Sequence, residues 1–154
     1  MIVSETGPII AFARIQRLDI LRSVAEEIAV PEAVYRELIA VRPGLPGSKV
    51  TEEYPWLRRY QIKRSLVAPD LHDGEREAIS LALELGVRVL LDEERGRRFA
   101  RRRMVEVIGS LGILVVAKQQ GVIPEVRPLV EALVATGYWI SADVIEGLLR
   151  LVGE

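Results

Sequence analysis

The side chains able to do chemistry in this 154-residue chain are almost all carboxylates. It has no cysteine and a single histidine, His72. That removes disulfides, thiolate metal sites and thiol nucleophiles, and it leaves neither a Ser–His–Asp relay nor a histidine-rich metal site to build. Four acids have suggestive surroundings. Glu5 follows the short apolar opening Met1–Ser4, and Glu37 lies in PEAVYRELIAV. Glu75, with Glu77 as its near neighbour, opens DGEREAISLALELG. Asp92, with Glu93 beside it, directly follows VRVLL. Carboxylates gathered in one cleft repel each other, and a divalent cation is the simplest remedy. Hard oxygen donors select Mg²⁺ or Mn²⁺ over zinc, and Mg²⁺ keeps several of its waters. An ion so held can activate a water and steady a phosphoryl oxygen during hydrolysis. Any one of these acids alone is ordinary, because helix starts attract carboxylates for dipole reasons. The reading therefore depends on whether the fold brings them together.

For that to happen, strand ends and helix starts must share an edge. Met1–Ser4 reads as a buried strand that Thr6-Gly7-Pro8 turns into a helix over Pro8–Ile15, with further helical spacing over Leu18–Val24. Ile28–Val30 is a second strand, and Pro31 ends it and opens the helix carrying Glu37. Residues 42–56 hold three of the eight prolines and two glycines and read as a loop. Tyr60–Lys63 is expected as a third, edge strand. Asp73 is the expected N-cap of the next helix, with Glu75 and Glu77 at its positive end and Gly86 as its stop. Val87–Leu91 forms a fourth strand and runs straight into Asp92-Glu93-Glu94. A helix from about Glu93 to Arg103 leads to a fifth strand, Val105–Ile108, closed by Gly109-Ser110. Helices over Leu111–Gln120 and Glu125–Ala135, and one from an N-cap at Ser141 through Leu151, complete the chain. This alternation predicts an α/β fold of three layers, α/β/α, with a mostly parallel sheet of four or five strands in a single domain over residues 1–154. Right-handed crossovers place all strand C-termini on one edge, so Glu5 and Asp92 should share it and Glu75 should face Asp92.

The helix after Asp92 is dense in arginine. From Asp92 to Met104 there are three acids and six arginines. Arg98, Arg101 and Arg102 share one face and Arg95 extends it. The planar guanidinium fork suits phosphate, so this face is the candidate track for a nucleic-acid backbone beside the acids. The overall charge of −1 provides no wider basic field. Tyr54, Trp56 and Tyr60 cluster near the Pro/Gly loop and are expected to anchor it. Tyr138-Trp139 is expected to pack on the sheet or on a subunit interface. No apolar run reaches the roughly 18 residues of a membrane span, and the N-terminus lacks a signal-peptide layout. The expectation is a soluble cytoplasmic protein without a membrane partner. The apolar runs GILVVA and LVEALVA suggest self-association as a homodimer or higher oligomer.

Several blocks together resemble a known family. VSETGPIIAFARI, VPEAVYREL, DGEREAISLALELG, LLDEERGRRFA and IGSLGILVVAKQQGVIP occur in the order found in PIN-domain proteins, in particular the small prokaryotic branch similar to VapC-type toxins. The resemblance implies an α/β/α fold with a parallel sheet and an acidic Mg²⁺ or Mn²⁺ centre that cleaves RNA by water attack on a phosphodiester. Carried over by position, the catalytic acids are Glu5, Glu37, Glu75 and Asp92. Glu5, Glu75, Asp92 and Glu93 are the candidate metal ligands. Thr6 matches the hydroxyl residue that follows the family's first acid. With Arg95, Arg98, Arg101 and Arg102 it forms the substrate-binding set. A protein antitoxin is the partner the toxin likeness implies. One position departs from the pattern: the family has aspartate where this chain has Glu5. The extra methylene displaces a ligand of an ion that demands near-ideal geometry. The alternative reading is thus a catalytically weakened module that binds RNA or protein. A receiver-like phosphoacceptor domain would also gather acids at strand ends, but it needs a lysine after the last strand and Ser110-Leu111-Gly112 offers none.

Overall fold

The computed structural model of the chain describes residues 1–40 and 54–154. Most of the Pro/Gly segment expected as a loop, 42–56, lies outside the described residues. The elements run β1 (Ile2–Ser4), α1 (Thr6–Arg14), α2 (Leu18–Ala25), β2 (Ile28–Pro31), α3 (Glu32–Ala40) and β3 (Leu57–Tyr60). They continue with α4 (Asp73–Leu85), β4 (Val89–Leu90), α5 (Glu94–Arg102), β5 (Val107–Ile108), α6 (Ser110–Gln119), α7 (Arg127–Ala135) and α8 (Ala142–Leu151).

All five strands are parallel, in the order β3-β2-β1-β4-β5. Period-two alternation along each strand sends side chains to opposite faces and so builds two cores. Ile2, Ile28, Val30, Leu57 and Leu90 point to one face, where Phe12 and Ile9 of α1, Ile20 and Leu21 of α2, Ile113 and Leu114 of α6 and Leu133 of α7 cover them. Val3, Ala29, Val89 and Leu91 point to the other, beneath Ala78, Ile79, Leu81 and Ala82 of α4 and Ala100 of α5. This is the expected three-layer α/β/α arrangement. The inner strands β1, β2 and β4 are buried throughout because both faces of the sheet are covered there.

Several boundaries differ from the sequence expectation. The edge strand is Leu57–Tyr60, not Tyr60–Lys63. Leu57 is buried in the first core and fixes the register opposite Ile28, whereas Ile62 is only half-buried. Exposed Arg58 and Arg59 sit on this outer strand, where charge discourages pairing with another sheet. Asp73 is the first residue of α4, and His72 is the extended residue before it. Gly86 ends the helix in the left-handed region at φ +66°, its N–H reaching Ala82 O. Ser141 caps α8 as expected, accepting from Val144 N. The runs read as a surplus for self-association lie largely in the core. Ile113, Leu114, Ala117, Leu129, Val130 and Leu133 are buried within the chain, while Val134 is 44% exposed. Among the described residues no helix is long and apolar enough to cross a membrane.

Candidate active site

β1 and β4 are hydrogen-bonded neighbours at the point where the sheet order reverses, the position at which open α/β sheets place their ligand crevice. Glu5 leaves the end of β1, and its own amide donates to Leu90 O at 3.2 Å. That bond pins Glu5 two residues from Asp92, which leaves the end of β4. The Glu5 side chain folds back as the N-cap of α1, Oε1 accepting from Gly7 N at 3.1 Å. A Cβ at residue 7 would stand 2.7 Å from that oxygen, so a side chain there would displace the Glu5 carboxylate from its cap. The Glu5 carboxyl is pushed up to about 8. Burial is the largest cause, and the negative charges of Glu75, Asp92 and Glu37 add to it, against the Gly7 N–H.

The other acids are held by specific donors. The Thr6 hydroxyl donates to Glu37 Oε2 in a short contact. Gly74 lies against the same carboxylate, where a Cβ would be 2.7 Å from Oε1 and 2.9 Å from Oε2. Glu75 is 5% exposed, and its Oε2 accepts from His72 N at 3.2 Å. Asp92 is gripped by the start of α6: Oδ1 accepts from Ser110 N at 2.7 Å and Oδ2 from Ser110 Oγ at 2.6 Å. The Tyr138 phenol faces this pair, and burial together with the Asp92 charge raises its pKa well above the ordinary value. Arg97 turns inward, Nη1 donating to Leu91 O at 3.1 Å and lying where a Cβ on Gly109 would come within 2.4 Å.

These residues line two clefts that meet over Glu5, Gly7, Glu93 and Glu94. The larger, about 1140 Å³, adds Thr6, Glu37, Glu75, Arg95 and Arg98 to its walls. The smaller, about 760 Å³, adds Arg14, Asp92, Tyr138 and Trp139. Arg102 lines a depression with Asp70, Arg95 and Arg98 that continues the larger cleft. Arg101 lines neither cleft and sits 3.9 Å from Glu94. Glu77, the neighbour of Glu75, faces elsewhere and accepts from Ala33 N at 2.7 Å at the start of α3. Tyr138 packs against the core as expected but also reaches the acidic edge, while Trp139 differs most from the sequence expectation, exposed in the cleft wall on the α7–α8 connection. Ser110, expected only as the close of a strand, has its one sequence signal in that place on the same edge. Tyr138 had none.

The donor set suits a hard divalent ion. It consists of carboxylates, of which Glu75 is the most buried and Glu5 is raised to about 8 by burial and by its acidic neighbours. Among the described residues no three His, Cys, Asp or Glu side chains are arranged to enclose a metal directly. The fit is therefore to an ion that keeps most of its water shell and takes one or two carboxylates, as Mg²⁺ commonly does.

A protein-family model described as a PIN domain matches residues 1–154. Among solved structures, a PilT N-terminus domain protein from the hyperthermophilic archaeon Sulfolobus solfataricus P2 is similar, with a TM-score of 0.57 and 17% identity. The match covers 76% of this chain and 93% of that one, and at this identity it bears on the fold alone. No curated protein matches the chain. With the family model spanning every residue and the parallel α/β fold in agreement, the chain belongs to the PIN-domain family.

Proposed function

We propose that the protein is a Mg²⁺- or Mn²⁺-dependent endoribonuclease of toxin-like kind. The observation that carries this is the convergence of carboxylates from four separate elements on two clefts that meet at Glu5. There Glu5 is raised to about 8 by burial and by Glu75, Asp92 and Glu37. Family membership supports a nuclease-type fold, and RNA as the substrate class comes from the toxin-like resemblance. One or two of Glu5, Glu75 and Asp92 would hold the ion directly and the rest through its waters, with Glu93 at the rim. Bound there, a divalent ion supplies Lewis acidity for a phosphoryl oxygen and a more acidic water. Ser110 fixes the orientation of Asp92 through both of its oxygens, and Thr6 fixes Glu37, so two carboxylates are pre-oriented before substrate arrives. Arg95 and Arg98 face the same cleft and are placed to bind phosphate. A protein antitoxin that covers the cleft and a homodimeric assembly belong to the same proposal. Light scattering of the purified chain tests the assembly.

The test is Mn²⁺ calorimetry together with cleavage of an unstructured RNA, with DNA of the same sequence as control. Wild type should bind Mn²⁺, cleave RNA and stop in EDTA. Asp92→Asn should lose several kcal/mol of charge stabilisation, on the order of a thousandfold in rate. Absence of divalent binding at millimolar ion would refute the proposal.

A second reading has its own observation. Glu5, in place of the family's aspartate, is turned back onto Gly7 N, and among the described residues no three carboxylates enclose an ion. In that case the protein is a weakened module, and Glu5→Asp would raise cleavage from the baseline. If the substitution changes little, Glu5 is a working ligand.

A further inference from the structure

We propose that Trp139 is the stacking platform for one base of a single-stranded RNA, on the far side of the acidic centre from the α5 arginines. The proposal rests on the reading of the cleft as an RNA-hydrolysing site and adds to it where the strand is held.

Trp139 is 85% exposed, whereas tryptophan is usually largely covered. The other tryptophan, Trp56, is half-buried and packs edge-on against Tyr54 with ring centroids 5.8 Å apart. Nor is Trp139 on a loose segment. Gly137 turns the chain at φ +98°, and Tyr138 N then donates to Leu133 O at 3.1 Å while its ring packs against the core. Two residues after Trp139, Ser141 caps α8. The indole is thus held between two anchored points, in the wall of the cleft that contains Asp92.

The charge around it selects what it can hold. On its side the cleft carries Glu5, Asp92, Glu93 and Glu94 against Arg14, which repels phosphate. On the other side Arg95, Arg98 and Arg102 attract it. A strand crossing the centre would have its backbone held by the arginines and, past the acids, a contact that needs no charge. An aromatic face stacks any base, and Ile10 and Ala11 continue the apolar floor.

The experiment uses a Trp56→Phe background, in which Trp139 is the sole tryptophan, a labelled single-stranded oligoribonucleotide, and EDTA to separate binding from cleavage. Indole fluorescence should be quenched on titration. Trp139→Ala should weaken binding by about 5- to 150-fold, the range for one stacked base. Trp139→Phe should retain most of the affinity. An oligonucleotide abasic at the stacked position should reproduce the Trp139→Ala loss without adding to it. Unchanged affinity in Trp139→Ala, with Arg98→Ala still weakening binding, overturns the proposal and leaves the nuclease reading intact. Unchanged affinity with loss of a dimer in light scattering also overturns it and gives the indole to a protein contact. If wild type binds no RNA, the proposal and the nuclease reading fall together.

Discussion

Replacing Glu5 by glutamine should change the pH dependence of stability more than any other single exchange at the acidic edge. In the folded chain its carboxyl ionises at about 8, against 4.5 for the free group, because it is buried beside Glu75, Asp92 and Glu37. Between those values the folded state binds more protons than the unfolded one. Stability then falls as pH rises through that window, and the whole penalty stands above it. The displacement from 4.5 corresponds to at most about 5 kcal/mol. Glu5 retains some contact with water, so about half of that is the working figure. Glutamine keeps an oxygen to accept from Gly7 N and removes the charge. In EDTA, Glu5→Gln should match wild type near pH 5 and melt about 5–10 °C higher near pH 8.5 for a chain of this size. Millimolar Mn²⁺ at pH 8.5 should raise wild type toward the variant and leave the variant nearly unmoved. Parallel stability curves for the two proteins across pH 5–8.5 would show that the like-charge cluster does not exist.

Two other perturbations separate the site from the scaffold. Gly74→Ala puts a methyl where Glu37 Oε1 would be 2.7 Å away, so Glu37 must move off Thr6. Helix propensity changes by up to about 1 kcal/mol in favour of alanine, so melting temperature should hold or rise while RNA cleavage falls. Glu154 is held down to about 2 by Lys118 Nζ and by the Val126 and Arg127 amides. Its contribution is complete above the unfolded carboxylate value and is lost as pH falls toward 2. Glu154→Gln should therefore melt lower than wild type at pH 7, with the gap closing by pH 2.

The core scaffold was legible because its signals are local. Ile28–Val30 before Pro31, and an amphipathic DGEREAISLALEL closed by Gly86, each identify an element within a dozen residues. Glu5 and Asp92 were legible for the same reason, as acids that interrupt apolar runs at strand ends. Edge strand β3 was misplaced by three residues, since its register depends on Leu57 entering a core built by distant helices. The grip of Ser110 on Asp92 spans 18 residues, and Tyr138 and Trp139 arrive by a turn at Gly137. No periodicity encodes such meetings. They follow from packing of α6 and α7 onto the sheet. Glu75 and Glu77 were indistinguishable in sequence, and the difference appeared only when Glu77 was found at Ala33 N.

The sheet order has a consequence for how the protein comes to be active. On one side β1 pairs Val3 with Ala29, and on the other it pairs Val3 with Val89. The first pairing closes a short loop. The second joins residues from opposite halves of the chain and carries the larger entropic cost of closure. The Glu5 amide bond to Leu90 O belongs to this second pairing. Any partly folded form that lacks it therefore has Glu5 and Asp92 apart. The acidic centre is a product of completed folding, absent from a nascent chain until β4 has emerged and docked.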